Sequence, residues 1–543
     1  MAEMKGKSRD EIIREDVKTL HGLGYAQQLF REMGRFSNFA ISFSIISILT
    51  GAIILFGYGL KFAGPIINTV GWPLVSLFTL AIAASMAEIA SAYPTAGGLY
   101  YWAHRLGGKT WAWVTAWLNM LGQITITAGI NMAAAIYLTG MFVFLFNIPG
   151  DATVPILGAV NGWNFWLFVM AIIMIPQVLI NVMGIKLTTR LSDFSVYWHI
   201  GGVVVIALLL TTFGKYHNSL AFMFSTVQTV LPADVSSTFA IGPLTVDSIM
   251  LKIIPGLGGL YGAGIFAFAF VLALLQAQWT YTGYDASAHM AEETYLARMN
   301  SAWGVFLSVA VSAVVGYVVL LALTNSIPPD KIAETANAPY AVLFIAQNAL
   351  APFFANVIAV IIGVAMWLCG LSSITSMARM WFAFARDEGM PGSGYLKRVS
   401  HRWRTPANAI VVTSILAWLI TVYSAGFSVI VSMSTTALYL AYAIPVYLNW
   451  RNKRKGQGEF TTKETAPWSL GKWGPVLNVI CFLWVAFITI LFSIPPNELA
   501  GWTMITLAVL LVLYWQVSER RRFTGPRKVT EEELAAIEKE FAI

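Results

Sequence analysis

The stretch Trp279–Thr294 (WTYTGYDASAHMAEET) places ionisable side chains directly after a long apolar run. If a helix resumes after Gly283, then Asp285, His289 and Glu292 follow at spacings of four and three residues and share one helix face. Three ionisable groups on one stripe are costly in lipid, so they should face protein or a water-filled path. The alternative is that the chain has already reached the cytoplasm here, where these side chains would simply be solvated.

Glycine and threonine in two apolar segments mark the places where the helices that position this chemistry are expected to be interrupted. Thr50 and Gly51 lie in the first such segment, and Gly283 lies in the sixth. Each alone is weak evidence, because small residues also allow close packing of membrane helices. Together they occupy corresponding positions in two halves of five segments, a pattern typical of transporters whose paired broken helices bind solute at the membrane midplane.

Apolar runs recur along the whole chain and predict an all-α polytopic membrane protein. Hydrophobic residues make up 57% of the 543 residues and charged residues only 11%, less than half the share in soluble proteins. A run of about 20 apolar residues can cross the hydrocarbon layer as a helix, whereas β-barrel strands would be shorter and alternating. The twelve predicted spans are 38–60, 72–92, 111–143, 164–183, 193–213, 260–297, 301–325, 352–385, 406–424, 428–448, 474–494 and 499–517.

Lysine and arginine residues are concentrated on one side of the predicted spans. With the N-terminus inside, nearly all of them fall in the terminal tails and cytoplasmic connections, which sets the orientation with both termini cytoplasmic. Arg379 lies within a span. The net charge of +7 is scattered among short loops, which argues against a nucleic-acid partner. The lysines on the outer side are Lys61, Lys215, Lys252 and Lys331.

The spans divide the chain into two five-helix repeats, a further helix pair and polar connections. The apolar end of the long outer segment is consistent with a re-entrant segment. Near the C-terminus, Thr530 and Glu533 have the spacing of a capping box, which predicts a small solvent-facing helix. The predicted divisions are a cytoplasmic N-terminal tail (1–37), the first repeat (38–213), an extracellular loop (214–259), the second repeat (260–449), a cytoplasmic loop (450–473), helices 11 and 12 (474–517) and a cytoplasmic C-terminal tail (518–543).

An ordered set of motifs resembles the amino acid-polyamine-organocation permease superfamily. The motifs in this set are AEIASAYPTAGGLYYW (87–102), NVMGIK (181–186), GYDASAHMAEET (283–294) and SMARMWFAFARDEGMP (376–391). Two more motifs resemble the amino acid/choline transporter branch, which includes γ-aminobutyrate permeases. These are LGYAQQLFR (23–31) and YLAYAIPVYLNWR (439–451). The sequence departs from the usual pattern at Glu388, where a glycine is expected, which affects only a loop.

The resemblance implies the inverted-repeat fold of the leucine transporter. Spans one to five and six to ten would interlock, spans eleven and twelve would pack outside, and solute would bind between discontinuous helices 1 and 6. Amides at the first break would hold a carboxylate and carbonyls at the second would hold an ammonium. The residues carried over are Ile48, Leu49, Thr50, Gly51 and Ala52 at the first break, and Trp279, Thr280, Thr282 and Gly283 at the second.

The resemblance also indicates a site for proton coupling. Proton-coupled members of the superfamily carry a lysine at about the depth of His199 in the fifth span. A histidine titrates near neutral pH and can gain and lose a charge during a cycle, although a packed core histidine is the simpler alternative. Ser372 and Ser373 in the eighth span are expected to face it across the former sodium site.

Further polar residues receive roles as contacts or gates. Gln123 and Asp285 are expected to touch solute, and the alternative for Gln123 is a hydrogen bond between helices. Trp279 would be a gate or a ring that contacts a cation. The alternative for the arginines is snorkelling and loop pairing. The residues expected at the cytoplasmic gate are Glu88, Arg379, Arg386 and Asp387.

These features predict a permease that carries an amino acid or a γ-aminobutyrate-like compound across the plasma (inner) membrane by alternating access. An exchanger is the nearest variant, and a choline or polyamine carrier would use Trp279, Tyr281, Tyr284 and Asp285. A channel would need a continuous polar lining. An enzyme would need a reactive constellation, but the sequence has no HExxH, GxSxG or Walker A pattern. The expected partners are the solute, the bilayer and protons, without cofactor or metal.

Overall fold

The structure of the protein is a computed structural model that describes residues 8–149, 151–227, 238–241, 244–423, 427–526 and 529–540. Within these ranges, ten helices are long and apolar enough to cross a membrane, or eleven when one bent pair counts as a single span. Helices dominate because a helix satisfies its own backbone hydrogen bonds where lipid offers no partner.

The first half of the chain contains a short N-terminal helix and five spans, the first of which is divided. Its elements in chain order are α1 (Arg9–Gly22), α2 (Arg35–Ile46), α3 (Ile48–Ile54), α4 (Phe56–Ala63), a π-helix (Ile67–Gly71), α5 (Trp72–Ala92), α6 (Leu99–Gly107), α7 (Lys109–Leu145), β1 (Thr153–Val154), β2 (Gly158–Ala159), α8 (Trp163–Val182) and α9 (Ile185–Phe213).

Short elements follow in the long connection, and the sixth span begins with a bend. The two strands of this connection pair antiparallel, with residue 238 opposite 247. The elements are α10 (Leu220–Met223), β3 (Thr238–Ile241), β4 (Leu244–Asp247), α11 (Ile249–Ile253), α12 (Pro255–Gly262), α13 (Phe266–Ala273), α14 (Leu275–Thr280), α15 (Ala286–His289) and a 3₁₀ turn (Ala291–Glu293).

The remaining elements complete the bundle, and the last of them is a helix near the C-terminus. They are α16 (Ala297–Asn325), a 3₁₀ turn (Pro329–Lys331), α17 (Ile332–Asn337), α18 (Ala341–Ala349), α19 (Pro352–Arg386), α20 (Ser393–Leu396), α21 (Ala407–Tyr423), α22 (Phe427–Lys455), a 3₁₀ turn (Gly471–Trp473), α23 (Gly474–Leu491), α24 (Glu498–Tyr514), a π-helix (Trp515–Glu519), α25 (Arg520–Arg522) and α26 (Glu531–Glu540).

Ten of the twelve predicted spans coincide with membrane-length helices, and the other two differ in form. The predicted sixth span falls on a pair, Gly256–Gly262 and Phe266–Thr280, bent by 98°. The predicted ninth span falls on a shorter apolar helix, Ala407–Val422. A count of twelve spans therefore stays a prediction.

Polar side chains lie on the central helices of the bundle and apolar side chains cover its periphery, unlike in a water-soluble protein. The apolar windows of Arg35–Ile54 and Phe427–Lys455 are 89% buried, whereas those of Trp163–Val182 and Glu498–Arg522 are 22% and 17% buried. The buried helices carry polar side chains that hydrogen-bond between helices, which is how membrane bundles are held together where lipid is as apolar as leucine. The central helices therefore position the polar groups, and the peripheral helices present apolar side chains.

The first span is interrupted at Ser47, one residue before the predicted break. Ser47 adopts a left-handed conformation (φ 31°, ψ 84°), α2 ends before it, and α3 starts at Ile48. The Ser47 carbonyl accepts the first hydrogen bonds of α3, from the amides of Thr50 (2.7 Å) and Gly51 (3.1 Å). The prediction of a break across residues 48–52 is wrong, since these residues form most of α3.

The sixth span is interrupted where the sequence predicted, after two more helical residues. Helix α14 continues through Trp279 and ends at Thr280, and the chain then turns with Gly283 at φ +86° before α15 begins. A β-carbon on Gly283 would lie 2.3 Å from Ile45 Cγ2. Glycine is therefore required at position 283 for two reasons, the positive φ and the close packing against α2.

The C-terminal helix begins with the predicted capping box. The Thr530 amide donates to Glu533 Oε2 at 3.1 Å, and the Glu533 amide donates to Thr530 Oγ1 at 3.3 Å. The helix is not only solvent-facing, because Glu538 Oε1 lies 2.6 Å from His21 Nε2 and accepts the Gln27 amide at 3.2 Å. It therefore packs on the N-terminal segment.

Candidate functional site

A small cavity lies between the two interrupted helices. About 10 Å³ of it is open to water, which is room for one molecule. Five of the predicted substrate residues line it, together with four isoleucines that were not predicted. The lining residues are Ile45, Ile46, Thr50, Gly51, Ile126, Ile130, Trp279, Thr280 and Thr282.

The cavity is narrow because α3 and α14 touch at Gly51. A β-carbon there would lie 2.5 Å from Thr280 Oγ1 and 2.8 Å from Thr280 Cα. Gly51 therefore serves close approach of two backbones and does not interrupt its own helix. A solute larger than water can enter only if α3 and α14 move apart, because their backbones leave no free space between Gly51 and Thr280.

The amide side of the site is the start of α3. The amides of Thr50 and Gly51 already donate to the Ser47 carbonyl, whereas those of Ile48 and Leu49 have no acceptor among the hydrogen bonds of the described residues, so the positive end of this helix favours a carboxylate there. Ile48, Leu49 and Ala52 belong to this helix but do not line the cavity. Only Thr50 and Gly51 of the predicted first break do so.

The carbonyl side of the site is the end of α14, and two of its predicted acceptors are already used. The Trp279 carbonyl accepts the Thr282 amide at 3.0 Å, and the Gly283 carbonyl accepts the Ala286 amide at 3.2 Å. Among the hydrogen bonds of the described residues, none reaches the carbonyl oxygen of Thr280 or Thr282. These two oxygens are the acceptors left for an ammonium group.

Trp279 forms one wall of the cavity and is held from behind. Its Nε1 donates to Ser434 Oγ at 3.0 Å, and its ring meets the edge of Phe427 at 5.8 Å between centroids. A β-carbon on Gly129 would lie 3.1 Å from the indole. The ring is therefore fixed by α22 and α7, and its remaining face lines the cavity.

His199 lies directly against the first break. Its Nε2 is 2.7 Å from Ser47 Oγ and its Nδ1 is 2.7 Å from the Ser195 carbonyl oxygen. A carbonyl only accepts, so Nδ1 carries a hydrogen, and in neutral His199 the Ser47 hydroxyl donates to Nε2. Ser47 Oγ also lies 2.6 Å from Thr50 Oγ1, which lines the cavity. Two hydroxyl groups thus connect His199 to the cavity.

The two serines predicted to face His199 have other partners. Ser372 Oγ lies 3.3 Å from Ser192 Oγ, and Ser373 Oγ lies 2.6 Å from Thr127 Oγ1. Neither serine hydrogen-bonds to His199, whose hydroxyl partner is Ser47, and the part of these serines in proton coupling stays a prediction. Ser47 was missed because a serine inside an apolar run carries no distinctive signal.

Asp285 is buried, but beside the cavity instead of inside it. Gln123 Nε2 donates to its Oδ2 at 3.0 Å, and Asn119 Nδ2 donates to the same oxygen at 3.1 Å. Tyr442 donates its hydroxyl to Oδ1 at 2.8 Å, and His289 Nε2 lies 3.0 Å from Oδ2. Gln123 and Asp285 hydrogen-bond to each other and do not line the cavity, so their contact with solute stays a prediction.

Three of the four residues predicted as cytoplasmic gates form ion pairs, and the fourth, Asp387, accepts hydrogen bonds from hydroxyl groups. Arg379 and Glu293 are buried and doubly bonded, at 3.0 and 3.1 Å. Arg386 makes a second such pair with Glu292, at 2.8 and 2.9 Å. The stripe that follows Gly283 therefore faces protein, and the alternative of a solvated cytoplasmic segment is wrong for both glutamates.

Further contacts tie this layer to other elements. Asp387 Oδ2 accepts the hydroxyls of Tyr25 at 2.6 Å and Tyr100 at 3.0 Å. Glu88 Oε2 accepts from Lys453 Nζ at 2.9 Å, which joins α5 to the end of α22. This side of the cavity is thus closed by side chains from several parts of the chain.

The N-terminal segment packs against the same layer. The Asp16 carboxylate accepts the amides of Leu296 (2.6 Å) and Ala297 (3.2 Å) and so caps α16. Burial raises the pKa of the Asp16 carboxyl, although the nearby Arg31 guanidinium favours its charged form. Arg31 Nη1 donates to the carbonyls of Ala291 and Thr294. This segment therefore holds the lower part of the broken sixth span in place.

Comparison with known proteins finds similarity over almost the whole chain. The family profile described as "Amino acid permease" matches residues 33–515. The chain is 34% identical over 532 residues to amino-acid permease BAT1 of Arabidopsis thaliana, which covers 93% of this chain and 95% of that protein. It is 33% identical to the BAT1 homolog of Oryza sativa subsp. japonica (93% and 94% covered) and 25% identical to a putative polyamine transporter of Candida albicans (98% and 92%).

Proposed function

Because the chain belongs to the amino acid permease family, a multi-pass membrane family of transporters and not of enzymes, we propose that it carries a small amino acid by alternating access at the cavity between its broken helices. The observation that supports this proposal is the cavity itself, which lies where α3 begins and α14 ends. A pore would not need an enclosed site of this kind.

A zwitterion matches the backbone groups at the two breaks. The free amides of Ile48 and Leu49 at the start of α3 favour a carboxylate, and the free carbonyl oxygens of Thr280 and Thr282 favour an ammonium group. The isoleucines around them suit a short aliphatic chain, as in γ-aminobutyrate or an apolar α-amino acid.

A choline or polyamine substrate is less well supported. The carboxylate and one aromatic ring that such cations would use are engaged elsewhere. Asp285 is held by four neighbouring side chains, and the Tyr281 hydroxyl lies 2.6 Å from Ser76 Oγ.

Transport requires the cavity to open and close in turn. The present structure has the halves in contact at Gly51, so binding has to separate α3 from α14. We infer that the ion pairs of Arg379 and Arg386, with Asp387 and Glu88, form the inner gate and that Trp279 forms part of the outer one. The proposal includes a plasma-membrane location, cytoplasmic termini and two interlocking repeats of five helices.

Reconstitution into liposomes tests the proposed function. Liposomes loaded with one unlabelled solute are given the same solute in labelled form, over a panel of γ-aminobutyrate, L-alanine, L-leucine, L-arginine, putrescine and choline. We expect saturable exchange of at least one amino acid. Exchange of only choline or putrescine would overturn the substrate class, and unsaturable flux would overturn the carrier.

Gly51→Ala is the matched variant for this assay. Its methyl group is forced against the Thr280 backbone, at a cost of about 1–3 kcal/mol. We expect exchange to fall by about tenfold or more, in line with that cost. Gly201→Ala is the control, because a β-carbon at Gly201 meets nothing within 4 Å. Equal exchange by the two variants would show that the cavity between α3 and α14 is not the solute site.

We further propose that His199 couples transport to protons through the Ser47 hydroxyl. In the His199→Ala variant, accumulation driven by a pH gradient should fall by about tenfold, a typical coupling between two ligands, while solute exchange persists. The exposed His217 provides the control variant His217→Ala. Undiminished gradient-driven accumulation in His199→Ala liposomes would remove His199 from the coupling.

A further inference from the structure

Both ring nitrogens of His289 point at oxygen acceptors in the interior of the bundle. Nδ1 lies 3.0 Å from the carbonyl oxygen of Ala96, and Nε2 lies 3.0 Å from Asp285 Oδ2. Both side chains are fully buried. A carbonyl cannot donate, so the hydrogen of Nδ1 is fixed by Ala96, and a second hydrogen is needed between Nε2 and the carboxylate.

We propose that the His289–Asp285 pair is a second proton-binding site of the carrier, attached to the break in the sixth span. With its proton, the pair has no net charge, either as imidazolium and carboxylate or as imidazole and carboxylic acid. Without it, one negative charge remains in the interior. The ligand of this site is the proton alone, and its role in transport rests on the proposed function.

The neighbours of Asp285 make the deprotonated state accessible. Asn119 and Gln123 of α7 donate to Oδ2, and Tyr442 of α22 donates to Oδ1. Three neutral donors stabilise a carboxylate without neutralising it, so the charge of the pair still depends on the proton.

The other elements around the pair add no unmatched charge to it. From α19, Arg379 and Arg386 are bidentate to Glu293 and Glu292. The hydrogen bonds from α2 to this segment come from the neutral side chains of Asn38 and Ser42, and the connection after α5 contributes the Ala96 carbonyl. The titratable tyrosines beside the pair are Tyr442 and Tyr284, whose rings lie 4.9 Å apart.

The proton site is connected to the break by one tyrosine. The Tyr442 hydroxyl donates to Asp285 Oδ1 and accepts the amide hydrogen of Gly283 at 3.1 Å. When the proton leaves, the Nε2 lone pair of His289 faces a carboxylate oxygen, and the two repel. The carboxylate then shifts relative to His289, and Tyr442 transmits that shift to the Gly283 amide.

His199 provides an informative contrast. Its Nε2 faces the Ser47 hydroxyl, which can donate or accept, so His199 is fully bonded when neutral. His289 facing an ionised Asp285 is fully bonded only when it is charged. Each break thus has one histidine close to it, and the two histidines differ in the protonation that their partners demand.

A spectroscopic experiment tests the site without any solute. The chain has six histidines, so ¹⁵N-histidine NMR of the protein in lipid nanodiscs gives few signals, and His289→Gln identifies the one of interest. At neutral pH we expect either a doubly protonated His289 or an infrared band of protonated Asp285 that disappears in Asp285→Asn. A singly protonated His289 beside an ionised Asp285 would overturn the proposal.

Transport by the variants then tests the role of the site. Asp285→Asn can donate to Nε2 and so removes the need for a second proton on the pair, so accumulation driven by a pH gradient should fall by about tenfold more than exchange does. Asp193→Asn is the control, a carboxylate of α9 that accepts only from Ser37 among the hydrogen bonds of the described residues. Gradient-driven accumulation that falls only as much as exchange would overturn the coupling role, whereas loss of exchange in the wild type would count against the carrier itself.

Discussion

Replacing Gly283 by alanine should abolish solute exchange in liposomes. Alanine at a positive φ costs about 1–2 kcal/mol, and overpacking against Ile45 adds about 1–3 kcal/mol. A distortion of about 2 kcal/mol or more at the break corresponds to a loss of about 30-fold or more in solute affinity. Labelled exchange and the thermal unfolding of the purified protein measure the two effects.

A second glycine separates the local effect from a general one. Gly392 is also left-handed, with φ +74°, but a β-carbon there meets nothing within 4 Å. Gly392→Ala should therefore carry the backbone cost alone and keep exchange close to that of the wild type. Normal exchange by Gly283→Ala would mean that the turn after α14 does not shape the solute site.

Replacing Arg379 by methionine should destabilise the protein by about 3–5 kcal/mol, because Glu293 is then left as an unpaired charge in a fully buried position. The double variant Arg379→Met/Glu293→Gln removes both charges and should recover most of this loss. The free energy of unfolding, measured by titration with SDS in mixed micelles, gives both values.

The exposed pair of Lys252 and Asp247 provides the comparison. These side chains are 66% and 68% exposed, and such pairs contribute about 0–1 kcal/mol. Lys252→Met should therefore change stability little. A double variant no more stable than Arg379→Met would show that Arg379 acts through packing and not by matching the charge of Glu293.

The family and the break in the sixth span could be predicted from the sequence because both depend on local signals. The motifs are contiguous, and Gly283 directly precedes the stripe of Asp285, His289 and Glu292, which is costly in lipid. The first break was misplaced because Gly51 was taken as an interruption. A glycine signals either a turn or a close approach, and only the position of Thr280 in space shows which.

The pairing of polar side chains could not be predicted for a different reason. Asp285 is held by residues of α7 and α22 that lie more than a hundred positions away in either direction. His199 and Ser47 are separated by 152 residues. Periodicity shows which face of a helix is buried, but it does not show which neighbour that face meets.

Ser47 is a residue where conformational ease and chemical usefulness are in conflict. A glycine would adopt its left-handed backbone about 1–2 kcal/mol more easily, yet glycine has no hydroxyl to link His199 to Thr50. Selection for heat resistance alone would favour glycine there, and selection for growth on the solute would favour serine. Screens for thermostable variants of this permease should therefore check position 47, because the most stable variants at this position are expected to have the lowest transport activity.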